Sequence, residues 1–562
     1  MEVQNKHIIQ PQLSGMGFSD ESPRREYNGP KPVVLLVLDG WGIGPNYAGN
    51  AISLANTPNM DTFWISFPHT QLTASGEAVG LPRGEDGNSE VGHVNIGAGN
   101  IVYQDLPRIN MSISDGTFKK NPNFLSAIEH ARKNNSRLHL MGLIGLGSVH
   151  ANLDHLMALL EMCVEQNFSE VYIHGFTDGR DSAPYSSLQV IPQIEARCRE
   201  LGVGKIATLM GRFFAMDRDK RWDRIEQAYN CLVMGQGAHA NTALEAIQFA
   251  HGADKTDEFI DPVVIGEPVT IADNDAVIFF NYRIDRPREL THVFVSPDFE
   301  QGYEAHTFDP YAEKYEKTNL LQTGVSVTFA RQRVLQNLFF VTMTRYEDGL
   351  PVIEAFPPQP VREPLGKILA EAGFKQLRCA ETEKEKFVTY YLNGQKEIIF
   401  PGEDRVILPS KGEKSYDQVP EMSAQEIAQE VVNRVKNSDY DAMIINIANG
   451  DMVGHTGNLE AGIKACEVVD EVVGQIVRAV YQKGGVALIT ADHGNVEEMI
   501  NAQTGEVDTE HSTYPVPLII VGQEYFNQNR TLITGVLADI APTMLKIMGI
   551  EKPATMTGRV LI

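Results

Sequence analysis

Short apolar runs without alternation, each closing on a small polar cluster, recur along this chain of 562 residues and constrain its fold more than any other feature. Val33–Leu38 runs into Asp39-Gly40-Trp41-Gly42, and Leu138–Ile144 leads to Ser148-Val149-His150. Val171–Ile173 precedes Thr177-Asp178-Gly179-Arg180-Asp181, Ile206–Met210 precedes Gly211-Arg212, and Val277–Phe280 precedes Asn281-Tyr282-Arg283. Near the other end, Met443–Ile447 comes before Asp451 and Val486–Thr490 before Asp492-His493. Runs this short and unbroken suit strands buried on both faces. Between them lie helical patterns such as Leu459–Tyr481, with Ile463, Cys466, Val469, Val473, Ile476 and Val480 on one face. Strand–helix alternation predicts an α/β protein with mainly parallel sheets. In such sheets ligands bind beyond the carboxyl ends of the strands, which is where the polar clusters fall.

At roughly one domain per 150 residues, the length predicts two to four domains. Pro351–Pro360, with its closely spaced prolines, reads as an extended connector. Residues 301–342 fit the strand–helix rhythm poorly and suggest an elaboration, while the polar residues 1–29 suggest a flexible extension without a secretory signal. A formal charge of −25 argues against nucleic-acid or anionic-membrane partners, yet leaves room for a small anion held by a few arginines. No apolar run approaches the ~20 residues of a membrane span. The five cysteines are odd in number and dispersed, so neither a disulfide framework nor a zinc-ribbon spacing is indicated. A reducing, cytoplasmic setting is the expectation.

The strand-end clusters hold a set of acids and histidines. Asp451 and His455 in GDMVGH are four apart, so one helical turn puts both on one face. Asp492-His493 lies in ITADHGN just past a strand, His511 in TEHSTYPVP just before another, and Asp39 ends the first strand. Singly, each is more often a cap or a satisfied core group; jointly, they point to a metal. Mixed carboxylate and imidazole donors suit borderline cations such as zinc or manganese, whereas calcium takes oxygen alone.

Ser89 lies in Gly87-Asn88-Ser89-Glu90-Val91-Gly92-His93. A serine at such a turn meets free N–H groups and the positive end of a helix. It could be an N-cap only, or a nucleophile once a base or metal lowers its pKa. Arg180, Arg212, Arg218, Arg283 and Arg286 stand at or just beyond strand ends in the central region. Arginine forms paired hydrogen bonds to carboxylate or phosphate, so the group favours recognition of an anionic small molecule over surface ion pairing.

The combination VLDGWG, GNSEVGHVNIGAG, DGRD, GRFFAMDRDKRWDR, ETEK, DMVGHTG, TADHGN and H-x-x-x-PVP, in this order, resembles the cofactor-independent phosphoglycerate mutases of the alkaline phosphatase superfamily. The resemblance implies a phosphatase-like domain, residues 30–105 and 358–562, split by a phosphotransferase domain over 106–350, with 351–357 as linker. It implies two divalent ions, manganese first, with cobalt, magnesium and zinc as alternatives, and no use of 2,3-bisphosphoglycerate. Asp451, His455 and His511 would hold one ion, and Asp39, Ser89, Asp492 and His493 the other. Ser89 would accept the phosphoryl group during interconversion of 3- and 2-phosphoglycerate.

The same resemblance gives His150, Arg180, Asp181, Arg212, Arg218, Arg283, Arg286 and Lys384 as residues that bind or act on the glycerate. Arg283 and Lys384 would offset charge on the transferring oxygens, and Asp181 would shuttle the proton. A monomer is expected. The chain departs from the family pattern at Gly145–Ser148, at Glu85-Asp86 and at Pro409-Ser410-Lys411. The alternative activity is that of a related metal-dependent phosphomonoester hydrolase or phosphopentomutase. Because Asp39 and Ser89 precede the arginines and the other ligands follow them, a single metal centre requires the chain to leave its domain near Asp105 and return near the proline-rich connector.

Overall fold

The computed structural model describes residues 27–302, 326–411, 415–528 and 530–562. Apart from residues 27–29, the expected N-terminal extension lies outside the described residues, as does the middle of the 301–342 stretch. The chain forms two compact units. One comprises the described residues up to Pro107 together with Gln359–Ile562, and the other Arg108–Pro358.

In chain order the strands are β1 (Val33–Leu38) and β2 (His69–Thr73) of the first unit, followed by eight of the second. These are β3 (Leu138–Ile144), β4 (Val171–Thr177), β5 (Lys205–Gly211), β6 (Ala238–Ala240), β7 (Val263–Ile265), β8 (Ala276–Phe279), β9 (Phe339–Thr344) and β10 (Ile353–Phe356). The first unit resumes with β11 (Gln376–Glu381), β12 (Glu403–Leu408), β13 (Ala442–Ile447), β14 (Val486–Thr490), β15 (Val516–Gly522) and β16 (Gly535–Val536).

The first sheet has the order β12-β11-β13-β1-β14-β15-β2-β16. From β12 to β14 every neighbour is parallel. Val33 is in register with both Ala442 and Val486, so the carboxyl ends of β13, β1 and β14 finish together. Only β15 runs antiparallel to its neighbours β14 and β2. The second sheet has the order β10-β9-β8-β3-β4-β5-β7-β6, parallel throughout except between β5 and β7. The expected α/β class with mainly parallel sheets is what the chain forms.

The unalternating runs became central strands because helices cover both faces: all six residues of β1 are at most 1% exposed. The long helix, Leu459–Gln482, starts where Asn458 accepts a hydrogen bond from the Ala461 amide, and its apolar face joins the core of β1, β13 and β14. Among the described residues no helix is long and apolar enough to cross a membrane. All five cysteines are buried and unpaired.

Two expectations change. Ile353–Phe356, inside the stretch taken as a linker, is an edge strand paired with β9. Its four residues contain no proline, so their N–H groups are available, and the prolines only flank it, as edge strands tolerate. Phe339–Thr344 likewise gives the 301–342 region a strand that its poor rhythm concealed.

Two glycines set how closely the elements approach at the end of the first sheet. Gly40, directly after Asp39, has φ +73°, and a Cβ there would lie 2.7 Å from the Asp451 amide nitrogen. Gly92 faces Asp492, whose Cβ and carbonyl oxygen would each be 2.7 Å from an added Cβ. Left-handed backbone costs an L-residue about 1–2 kcal/mol before any clash is counted. Gly40→Ala is therefore expected to lower the melting temperature by several degrees and to weaken divalent-ion binding. A variant with native melting temperature and ion affinity, measured by calorimetry, would show that this close approach is not needed.

Candidate active site

Four adjacent parallel strands of the first unit deliver polar side chains from their carboxyl ends. Asp39 follows β1, Asp492 and His493 follow β14, Asp451 lies in the helix Asn449–Gly454 after β13, and Lys384 closes the 3-10 turn Thr382–Lys384 after β11. His511 precedes β15, whose antiparallel course brings its start to the same end. Ser89 is the first residue of the helix Ser89–Ala98; the N-cap is Asn88, whose side chain accepts from the Val91 amide, so the serine hydroxyl is left free of capping.

These residues converge. The Ser89 hydroxyl lies 3.0 Å from Asp39 Oδ1, to which it donates, and 2.9 Å from His493 Nε2. Lys384 Nζ donates to Asp39 Oδ1 (2.8 Å), Asp451 Oδ2 (2.7 Å) and Ser89 Oγ (2.9 Å). His511 Nε2 is 3.0 Å from Asp451 Oδ1 and 3.1 Å from His455 Nε2. Lys384, expected with the substrate residues, thus stands beside the serine among the candidate metal ligands.

Three carboxylates, Asp39, Asp451 and Asp492, are each no more than 3% exposed. Burial is the largest influence and opposes the ionisation of Asp39 and Asp451, but the Lys384 ammonium together with His493, and for Asp451 also His455 and His511, outweighs it and holds both carboxyls below the usual carboxylate range. Burial likewise works against the charge on Lys384, and Asp39, Asp451 and Asp492 override it to raise its pKa. His493 follows the same pattern: burial would lower it, yet Asp492, Asp39 and Asp451 push it up to about 10.

The donor set fits divalent cations. Asp451, His455 and His511 form one group, and Asp39, Asp492 and His493 another; within each, the ligand atoms lie within 4.8 Å of one another. His455 Nδ1 faces the Thr509 carbonyl at 2.7 Å, His511 Nδ1 the Gly87 carbonyl at 2.8 Å, and His493 Nδ1 the Gly494 carbonyl at 3.2 Å. Each contact suits a proton on Nδ1 and leaves Nε2 facing inward as the atom that would bind a metal once it is deprotonated. The Nε2 atoms of His455 and His511 face each other at 3.1 Å and both face Asp451 Oδ1, at 3.2 and 3.0 Å, as ligand atoms gathered around one cation would. Asp492 Oδ2 is buried near His93 Nδ1 (3.2 Å) and His493 Nε2 (3.6 Å) yet makes no hydrogen bond among the described residues, which suits it to a cation.

The second unit repeats the device. Its adjacent parallel strands β8, β3, β4 and β5 end before Arg283 and Arg286, His150, Arg180 and Asp181, and Arg212 respectively. Arg212, 2% exposed, donates to Asp178 Oδ1 at 2.7 Å and also to Asp181 Oδ2. Asp285 receives Arg283 through Nε (3.1 Å) and NH2 (3.3 Å), and Arg218 NH1 at 3.1 Å. His150 lies between Asp285 Oδ1 (3.5 Å) and Asp181 Oδ2 (3.7 Å); burial pushes it down to about 3, aided by Arg212 and Arg283 against the pull of Asp285. Arg180 is half exposed beside Glu258.

Arg180, Arg212, Arg218 and Arg286 line a pocket of about 250 Å³. Burial, then the charges of Arg212 and Arg218, pull Arg286 down to about 10, and Asp217, Asp219 and Glu258 also line the pocket.

Several orienting residues were not singled out in the sequence. His93 Nδ1 holds the Ser89 carbonyl at 2.9 Å, and Asn446 Nδ2 reaches Asp39 Oδ2 at 2.6 Å and His93 Nε2 at 3.1 Å. His93 was findable, being four residues past Ser89 on the same helical face. Asp178 and Asp285 lie within the DGRD and NYRIDR clusters, where the arginines drew attention away from them. At the divergent Gly145–Ser148 run, the Leu146 and Gly147 amides both donate to Ser182 Oγ.

Residues 109–348 match the family described as the BPG-independent PGAM N-terminus. Over 540 residues the chain is 49% identical to a 2,3-bisphosphoglycerate-independent phosphoglycerate mutase of Chloroflexus aggregans, covering 95% of this chain and 99% of the relative. A Clostridium botulinum (strain Langeland) protein of the same description is 48% identical, with the same coverage. Among solved structures, a Leishmania mexicana phosphoglycerate mutase studied at low cobalt concentration is 29% identical, covers 96% of this chain and 99% of its own, and has a TM-score of 0.53. With these relatives, the α/β fold and its two sites define an isomerase that acts on a small anionic molecule. The chain belongs to the 2,3-bisphosphoglycerate-independent phosphoglycerate mutases.

Nε2 coordination requires a neutral imidazole, while the metal-free site keeps His493 protonated at neutral pH. Manganese uptake by the metal-free protein at pH 7 is therefore expected to release about one proton or more per chain. Calorimetry in buffers of different ionisation enthalpy measures this directly. Proton-neutral uptake would place the ion away from His493.

Proposed function

We propose that this chain interconverts 3-phosphoglycerate and 2-phosphoglycerate through a phosphoserine at Ser89, without 2,3-bisphosphoglycerate. The observation that carries the reading is the Ser89 hydroxyl within 3.0 Å of Asp39 Oδ1, His493 Nε2 and Lys384 Nζ, at a buried concentration of carboxylates. Divalent ions held by Asp451, His455 and His511 and by Asp39, Ser89, Asp492 and His493, manganese first among the candidates, would lower the pKa of that hydroxyl and offset charge on the phosphoryl oxygens.

The protein's own residues account for the rest. Ser89, held at a helix N-terminus, attacks phosphorus where backbone N–H groups favour an anion. Lys384 neutralises charge on the oxygens in transfer. Arg180, Arg212, Arg218 and Arg286, with Arg283 held on Asp285, bind the glycerate carboxylate and hydroxyls. His150, kept neutral, accepts or donates a hydrogen bond without adding charge. Asp181 takes the proton from one glycerate hydroxyl and returns it to the other, so that the phosphoryl group leaves Ser89 for the second position.

Ser89→Ala is expected to lower mutase turnover by more than about 10⁴-fold with the fold intact by circular dichroism. The assay starts from 3-phosphoglycerate and scores 2-phosphoglycerate against free phosphate. Substantial turnover in the folded variant would end the phosphoserine reading, and free phosphate as the main wild-type product would favour a hydrolase.

Acidification gives a second test. The Asp451 contact raises His455 above the ordinary imidazole value, so on lowering the pH it takes up a proton early and gives up its ligand role. Activity should therefore fall on mild acidification, and excess manganese should move the fall to lower pH. A fall that does not respond to manganese would speak against these ligands.

A further inference from the structure

Arg218 belongs to a short segment, Met216–Arg221, whose shape is fixed by two buried carboxyl groups that the reaction does not use. Asp217, 3% exposed, accepts through Oδ2 from the amides of Asp219 and Arg221, each at 2.9 Å, and through Oδ1 from Arg221 NH1 at 3.1 Å. Glu289, also 3% exposed, comes from the helix Arg288–Val295 and accepts the Lys220 amide on Oε1 at 2.8 Å. Lys220 has φ +61°, a left-handed conformation that a lysine keeps only when its surroundings hold it there.

The other oxygen of Glu289, Oε2, is buried with no donor among the described residues, and the Asp217 carboxyl group acts on the Glu289 carboxyl from close by. Asp217 is already an acceptor four times over, from the Asp219 and Arg221 amides and from NH1 of Arg221 and Arg224. Two ionised carboxylates there would repel with no water to screen them. One proton on Glu289 Oε2 converts that repulsion into a hydrogen bond donated to Asp217. The segment so closed feeds the anion pocket twice: Arg218 projects from it to Asp285, and Arg286 NH1 is anchored on its Met216 carbonyl at 2.9 Å.

We propose that Glu289 is a positioning residue: as a neutral carboxylic acid it clamps the Met216–Arg221 segment and thereby holds Arg218 and Arg286 in the shape that binds the substrate anion. The clamp itself follows from the contacts above, and its consequence for substrate rests on the role given to the arginines under Proposed function. Burial, then Asp217, pushes the Glu289 carboxyl up to about 8, which agrees with the geometry. Since the folded value is raised, the clamp is complete at low pH and is lost as pH rises through about 8. The charged groups acting on it are Asp217 and Asp219; Asp217 in turn receives Arg221 and Arg224, and Arg288, next to Glu289 on its own helix, pairs with Glu347.

The test uses the full-length, manganese-loaded enzyme and two variants. Glu289→Ala removes both bonds, whereas Glu289→Gln keeps the acceptor for Lys220 and a donor for Asp217 at every pH. Amide hydrogen exchange of Asp219, Lys220 and Arg221 at fixed pH is expected to rise at least ~10-fold in the alanine variant and to stay near wild type in the glutamine variant. KM for 3-phosphoglycerate should rise several-fold in the alanine variant with less change in kcat. In wild type KM should climb above pH 8, and in the glutamine variant it should remain flat.

Unchanged exchange in Glu289→Ala, or a glutamine variant as impaired in KM as the alanine one, overturns the clamp. If the alanine variant does not fold, the wild-type and glutamine pH profiles decide alone: parallel profiles overturn the proposal. Arg218→Ala with unaltered KM would instead refute the substrate role of the arginines, leaving the exchange result to judge the clamp.

Discussion

Three carboxylates buried within reach of one lysine ammonium are the constraint around which the first unit is built. Like charges about 4 Å apart repel by about 4 kcal/mol at an effective dielectric constant of 20, so the set is tolerable only with compensating cations. Lys384, together with a protonated His493, supplies two positive charges against Asp39, Asp451 and Asp492. Divalent ions would replace the proton on His493 and satisfy the free oxygen of Asp492 and the facing Nε2 atoms of His455 and His511. Much of the local structure follows from gathering these groups: strand ends in register, a left-handed Gly40 against Asp451, and a bare Gly92 against Asp492.

The second unit uses the same topology for the opposite charge. Of four neighbouring parallel strands, β3, β4 and β5 end together beside the shorter β8, but they deliver guanidinium groups, and buried carboxylates such as Asp178 and Asp285 orient them. Arginine suits this duty because it stays ionised even where burial and like charges press on it, as at Arg286. One unit thus collects negative charge around a serine hydroxyl and the other positive charge around a pocket.

What could be seen in the sequence follows from burial. β1, β3 and β14 were visible residue for residue because strands covered on both faces must be apolar throughout. β11 (QLRCAE) and β12 (EDRVIL) escaped notice because they carry charge into the sheet; Arg378 in β11 is fully buried beside Glu403. β10 was hidden by its flanking prolines, and β6 and β7 by being three residues long. In the site, ligand-type residues stood out by residue type and position. Those that only orient others, His93, Asn446, Asp178 and Asp285, did not, since a hydrogen bond to a neighbouring functional group leaves no mark in the sequence beyond a polar residue. Glu289 belongs to the same kind, and its unsatisfied oxygen becomes visible only once the Met216–Arg221 segment is folded around it.

The proposed mechanism requires that the strand-end carboxylates and imidazoles gather divalent cations around Ser89. Anomalous scattering from a crystal of the manganese-loaded protein measures this most directly. It should give two peaks, one within bonding distance of Asp451, His455 and His511, the other within bonding distance of Asp39, Ser89, Asp492 and His493. Manganese absent from both groups in a crystal of active enzyme, or bound only elsewhere on the chain, would contradict it.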